Sequence, residues 1–109
     1  MNERKWMIYG ANGFSAMLAI EESVKRGLKP VLAGRSPAIE KIAQEFDLDF
    51  QIFSLSSVNE VASQIKGLAV VANCAGPFSE TAETMIQACI QAKVHYIDIT
   101  GEISIYDYA

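Results

Sequence analysis

The apolar positions of this chain change their spacing repeatedly. Trp6 to Tyr9 is a short apolar run that stops at Gly10, and predicts a first strand. From Phe14 the spacing turns helical: Phe14, Met17, Leu18, Val24 and Leu28 share one side, with Glu21 alone off the pattern. Glu22, Lys25 and Arg26 fall on the polar side. Gly27 and Pro30 end that helix. Pro30 to Ala33 (PVLA) predicts a second strand, and Ser36-Pro37 an N-cap followed by proline at the first helical position. Ile39, Ile42, Ala43 and Phe46 carry the second helix, and Phe50 to Phe53 the third strand. Ser57 and Glu60 form a capping-box pattern ahead of Val58, Val61, Ala62 and Ile65. Leu68 to Asn73 (LAVVAN) is an apolar fourth strand. From Thr81 a helix turns Met85, Cys89 and Ala92 inward, and Val94 to Ile99 is a fifth strand. The tail, Ser104 to Ala109, reads as irregular.

Strands alternate with helices throughout, and the second and fourth strands are apolar almost end to end. Strands buried on both faces arise from parallel βαβ crossovers. The expected fold is therefore α/β: a three-layer, doubly wound parallel sheet of the Rossmann type with about five strands. A single domain spanning 1–109 fits the length of 109 residues. In such a fold the fifth strand would be left as an exposed edge. That edge is expected to pair with a second copy, as a homodimer, or with a missing second domain.

Composition removes several classes of function. Half of the residues (50%) are hydrophobic, so the chain is globular. The net charge is −4 and no segment gathers the basic residues, which argues against a nucleic-acid partner. The N-terminus MNERKWMIYG has no long apolar run, so no signal peptide is read there. No segment approaches the roughly 18 apolar residues of a membrane span. Cys74 and Cys89 lack metal or disulfide spacing and read as free, buried thiols of a reducing compartment. The expected location is cytoplasmic.

Chemistry gathers where the first strand meets the first helix. In IYGANGFSA, Gly10 ends the strand where the chain must turn sharply. Gly13 has no Cβ and lets the backbone approach a pyrophosphate, while the helix that follows presents free N–H groups. Ala16 is the third small residue, which lets helix and strand pack closely. An NAD-preferring site carries Asp or Glu at the end of the second strand, about 20 residues after the glycines. This strand ends Ala33-Gly34-Arg35-Ser36, with no carboxylate. Gly34 leaves room, Arg35 supplies a cation and Ser36 a hydroxyl, which suits a 2′-phosphate and favours NADP over NAD. Asn73 and Ala75 end the fourth strand at the switch point; Asn73 either contacts the dinucleotide or caps the strand end. Cys74 is expected to pack and not to act as a nucleophile, since no neighbouring residue suggests an activated thiol. His95 lies at the end of the fifth strand away from the ligand edge, in a structural or surface role. Asp98, Thr100 and Glu102, at the other end, either hold substrate or cap a turn.

YGANGFSA, RGLKPVLAGRS and NCAGPFSETAETMIQACIQAKVHYIDITGE together resemble the N-terminal NADP-binding domain of the saccharopine dehydrogenase-like family, in its trans-acting enoyl reductase branch. The resemblance runs from about Trp6 to Glu102. It implies an oxidoreductase transferring hydride between NADP(H) and a substrate. It also implies cofactor contacts at Gly10, Asn12, Gly13, Phe14, Arg35, Ser36, Asn73 and Ala75. Asn12 and Ser15 stand where the family often has threonine, and both keep a hydrogen-bonding side chain. Family members continue into a substrate and dimerisation domain that is absent from these 109 residues, so the resemblance brings no catalytic residue. Two further readings stand beside it. One is a non-catalytic module that senses NADP or binds a partner. The other, prompted by NCAG, is a short-chain dehydrogenase or epimerase; it ranks last, because neither Tyr96, Tyr106 nor Tyr108 has a lysine four residues on.

Overall fold

The computed structural model describes residues 5–11, 14–74, 79–98 and 104–106. Its elements follow the alternation of the sequence: β1 (Trp6–Tyr9), α1 (Phe14–Lys25), β2 (Val31–Gly34), α2 (Ala38–Phe46), β3 (Phe50–Ile52), α3 (Val58–Ile65), β4 (Val70–Asn73), α4 (Ser79–Ala92), β5 (His95–Asp98) and β6 (Ser104–Tyr106). The strands form one sheet in the order β3-β2-β1-β4-β5-β6. The first five run parallel, and the order reverses between β1 and β4, which lie side by side with Ile8 opposite Ala72 and Tyr9 opposite Asn73.

Side-chain alternation along the strands builds two cores, one on each face. Met7 and Tyr9 of β1, Val31 and Ala33 of β2, Val71 of β4 and Tyr96 of β5 point to one face, where α3 and α4 cover them with Val61, Ile65, Met85 and Cys89. Ile8, Leu32, Ala72 and Cys74 point to the other face, under Ala16 and Ile20 of α1 and Ile39 and Ala43 of α2. A strand with apolar residues at every position is thus satisfied twice, which is why β2 and β4 read as continuous apolar runs. The doubly wound expectation is borne out.

Two expectations change at the carboxyl-terminal end of the chain. Ser104 to Tyr106 is not irregular: it forms β6, antiparallel to β5, with Ile105 opposite Ile97 and Ser104 opposite Asp98. Consequently β5 is not an exposed edge, for it is paired with β4 on one side and β6 on the other. Three residues are too few to show a period, so only the neighbouring strand reveals them as a strand. A smaller shift occurs at β2, which begins at Val31 and not at Pro30. Proline has no N–H to give to a ladder.

Ser36 and Pro37 start α2 as the sequence implies. Pro37 already has helical dihedrals (φ −60°, ψ −17°). The Ser36 hydroxyl accepts the Ala38 N–H at 3.1 Å, which is an N-cap bond in all but boundary assignment. Ser57 caps α3 in the same way, its hydroxyl accepting the Glu60 N–H at 3.5 Å.

Candidate functional site at the carboxyl edge of the sheet

Parallel strands all end at one edge, and here that edge carries Tyr9-Gly10, Gly34-Arg35 and Asn73. Gly10 is buried, with φ +81°, a region that L side chains adopt at a cost. The bend aims its N–H sideways: Gly10 N–H and Ala11 N–H both donate to the Ala33 carbonyl, at 2.7 and 3.1 Å. The first glycine of the turn therefore ties the end of β1 to the end of β2. Asn12, Gly13 and Ala75 lie outside the described residues. Phe14 is the first residue of α1. Ala16 is fully buried in the core between α1 and the sheet, as expected of the third small residue.

Gly34 is glycine for a different reason. A Cβ there would lie 2.8 Å from Ile39 Cδ1 and 3.0 Å from Ile39 Cγ1, inside contact distance of a fully buried side chain. Its carbonyl accepts the Phe53 N–H at 2.9 Å. Arg35 follows directly and is exposed, and among the described residues the salt bridges are Lys5–Asp49 and Arg26–Glu22, neither of which uses it. Ser36 is half-buried. Its hydroxyl oxygen is engaged as an acceptor by Ala38, which leaves the O–H hydrogen to be donated.

Behind Arg35 stands Tyr9, only 3% exposed. Its hydroxyl donates to the Phe53 carbonyl at 2.7 Å, and the two rings pack with centroids 5.1 Å apart, tilted by 50°. Burial pushes the Tyr9 hydroxyl pKa up, and the Arg35 cation pulls against that shift. Sequence reasoning missed this residue. In the one-dimensional pattern Tyr9 is simply the last apolar position of a strand.

Asn73 is fully buried on the α3/α4 face and donates from Nδ2 to the Tyr96 hydroxyl at 3.0 Å. Tyr96 is itself 1% exposed. The amide thereby joins β4 to β5 beneath the edge. Cys74 packs in the α1/α2 core, and its N–H donates to the Tyr9 carbonyl at 2.8 Å, in keeping with a packing role. Cys89 is buried beneath α4, and burial pushes its thiol up to about 12, far from a thiolate at neutral pH. His95 opens β5 opposite Val70, at the far edge. Asp98 closes β5 opposite Asn73.

Among the described residues no group of His, Cys, Asp or Glu could hold a metal ion, and no helix is long and apolar enough to cross a membrane. A cleft at the opposite, amino edge is bordered by Lys5, Trp6, Leu28, Asp47 and Asp49. Its charges are mixed and Lys5 faces Asp49 at 3.4 Å, so it offers an anion no net attraction.

Comparison with known proteins agrees with this geometry. The saccharopine dehydrogenase NADP binding domain model matches residues 6–108. A saccharopine dehydrogenase-like oxidoreductase of Bos taurus is 27% identical over 116 residues, covering 88% of this chain and 27% of the relative. The trans-acting enoyl reductase of Mycobacterium ulcerans (strain Agy99) is 29% identical over 108 residues, covering 89% of this chain and 25% of the relative. The chain thus spans about a quarter of the length of these relatives. Among solved structures, apo saccharopine dehydrogenase (L-Glu forming) of Saccharomyces cerevisiae superposes with a TM-score of 0.74 at 13% identity, over 88% of this chain and 21% of the yeast chain. At that identity the likeness speaks for the fold. The cofactor named for the matching domain is NADP, the one expected from a second strand that ends in arginine and not in a carboxylate. With nearly its whole length matched, the chain belongs to the saccharopine dehydrogenase NADP-binding domain family.

Proposed function

We propose that residues 1–109 form one dinucleotide-binding domain of an NADP-dependent oxidoreductase, with the cofactor lying across the carboxyl edge between β1 and β4. In this reading Gly10, Asn12, Gly13 and Phe14 form the turn and helix start that face the pyrophosphate. Arg35 and Ser36 hold the 2′-phosphate, the arginine by charge-assisted hydrogen bonds and the serine through its unused O–H. Ala75 leaves room for the dinucleotide after β4. Asn73 either contacts the dinucleotide or, through its bond to the Tyr96 hydroxyl, ties the end of β4 to β5. The nicotinamide supplies the hydride chemistry when bound, and this chain's residues orient it. We place the protein in the cytoplasm.

The observation that carries this reading is Arg35: an exposed cation outside the salt bridges of the described residues, on a strand end where neither neighbour is a carboxylate. The non-catalytic sensing alternative has no comparable support. Titration with NADPH and NADH, followed by nicotinamide fluorescence, tests it. Arg35→Ala should weaken NADPH roughly tenfold to a hundredfold, the scale of a lost hydrogen bond to a charged group, and leave NADH unchanged. Equal affinity of the two nucleotides for the unmodified chain would remove Arg35 from the site. A second copy or a further domain would add to the outer edge of β6, not of β5. A monomer by light scattering at high concentration would eliminate the second copy.

A further inference from the structure

We propose that Tyr9 is a positioning residue for Arg35, and that through it the phosphate turn of β1 takes part in the choice of NADPH over NADH. The inference rests on the reading above, that Arg35 holds the 2′-phosphate.

An exposed arginine is a mobile side chain, and its usefulness to a phosphate depends on how firmly its base is held. The base of Arg35 is held from two sides. On one side the Ala33 carbonyl accepts both Gly10 N–H and Ala11 N–H, at 2.7 and 3.1 Å. On the other side the Gly34 carbonyl accepts the Phe53 N–H at 2.9 Å. Phe53 lies just beyond β3, and β3 contributes only three ladder residues, at the outer edge of the sheet. Such a short edge strand has few bonds of its own to fix its end. Tyr9 supplies the missing constraint. Its hydroxyl reaches across from β1 and donates to the Phe53 carbonyl at 2.7 Å, while the rings pack tilted with centroids 5.1 Å apart. Phe53 is thus fixed at both its N–H and its carbonyl, and it in turn fixes Gly34, the residue before Arg35. The Arg35 charge acts on the same hydroxyl, so the two side chains are electrostatic neighbours as well as connected through Phe53.

Tyr9 is itself buried and does not touch the cofactor in this reading, so it works through Arg35 and the Phe53–Gly34 backbone that holds it. The consequence is selective. NADH has no 2′-phosphate and makes no use of Arg35, so loosening Arg35 leaves NADH binding where it was.

The test measures NADPH and NADH affinities for the unmodified chain, Tyr9→Phe, Arg35→Ala and the double variant. Tyr9→Phe keeps the ring and its packing on Phe53 and removes only the hydroxyl, and the NADH arm reports that each variant is folded. The expected result is about a fivefold loss for NADPH in Tyr9→Phe, the scale of one hydrogen bond, with NADH unchanged. In the Arg35→Ala background the same change should cost NADPH nothing further. An equal loss for both nucleotides, or an additive loss in the double variant, would show a general structural role and overturn the inference. An Arg35→Ala effect with no Tyr9→Phe effect would overturn it alone. No effect of Arg35→Ala on either nucleotide would overturn the reading of Arg35 and this inference with it.

Discussion

The two edges of the sheet use unusual backbone positions for different ends. At the amino edge, α1, α2 and α4 finish with a left-handed residue: Gly27 at φ +80°, Asp47 at +57° and Lys93 at +62°. Each ending closes with the same wide backbone bond, Leu28 N–H to Ser23 carbonyl at 2.9 Å, Leu48 N–H to Ala43 carbonyl at 2.9 Å and Val94 N–H to Cys89 carbonyl at 2.8 Å. Around Gly27 there is open space, so only its dihedral matters. At the carboxyl edge Gly34 has no left-handed dihedral, and only volume matters, because Ile39 occupies the place of its Cβ. Charge follows the same division. Lys5 pairs with Asp49 at the amino edge, whereas no salt bridge of the described residues reaches Arg35 at the carboxyl edge. One edge ends helices and pairs its charges; the other packs a helix side chain against its glycine and carries an arginine outside the salt bridges of the described residues.

Substitutions can break this contrast. The largest effect should come from Gly34→Val, which drives branched carbons into buried Ile39. A loss of about 2–3 kcal/mol is expected by urea unfolding, in the range of overpacked cores. A neutral Gly34→Val would mean that Ile39 moves away freely and that the tight approach is not a constraint. Gly27→Ala should cost less, about 1 kcal/mol, because it meets no atoms and pays only for the left-handed dihedral. Lys93→Gly should run the other way and stabilise the chain by a similar or smaller amount, read as a raised Tm. It removes a Cβ from that same region, at the entropic cost of a freer unfolded chain. If Gly27→Ala proved as damaging as Gly34→Val, the distinction between dihedral and volume would fail.

Much of the fold could be read before any coordinates, and for a definite reason. Local signals act over a few residues. Ser36-Pro37 and Ser57 through Glu60 carry their caps within one turn, and both caps form. The apolar runs of β2 and β4 state their double burial by themselves, since a strand exposed on one face would alternate. Arg35 and the missing carboxylate were legible for the same reason: they are properties of one strand end. Ser104 to Tyr106 was not, because three residues acquire a strand identity only from β5 beside them.

By itself, then, the order of residues determined the alternation of strands and helices, the glycine that ends the first strand and the arginine, in place of a carboxylate, that follows the second. The tertiary structure alone decided which residues stand behind those features. It put Tyr9 against Phe53, residues 44 positions apart. It joined Asn73 to Tyr96, 23 positions away, by a buried hydrogen bond. It placed Ile39 where a Cβ at Gly34 would lie. Each of these depends on a distance between elements that are remote along the chain or turned toward each other only by packing, and no local pattern of hydrophobic and polar residues encodes such a distance.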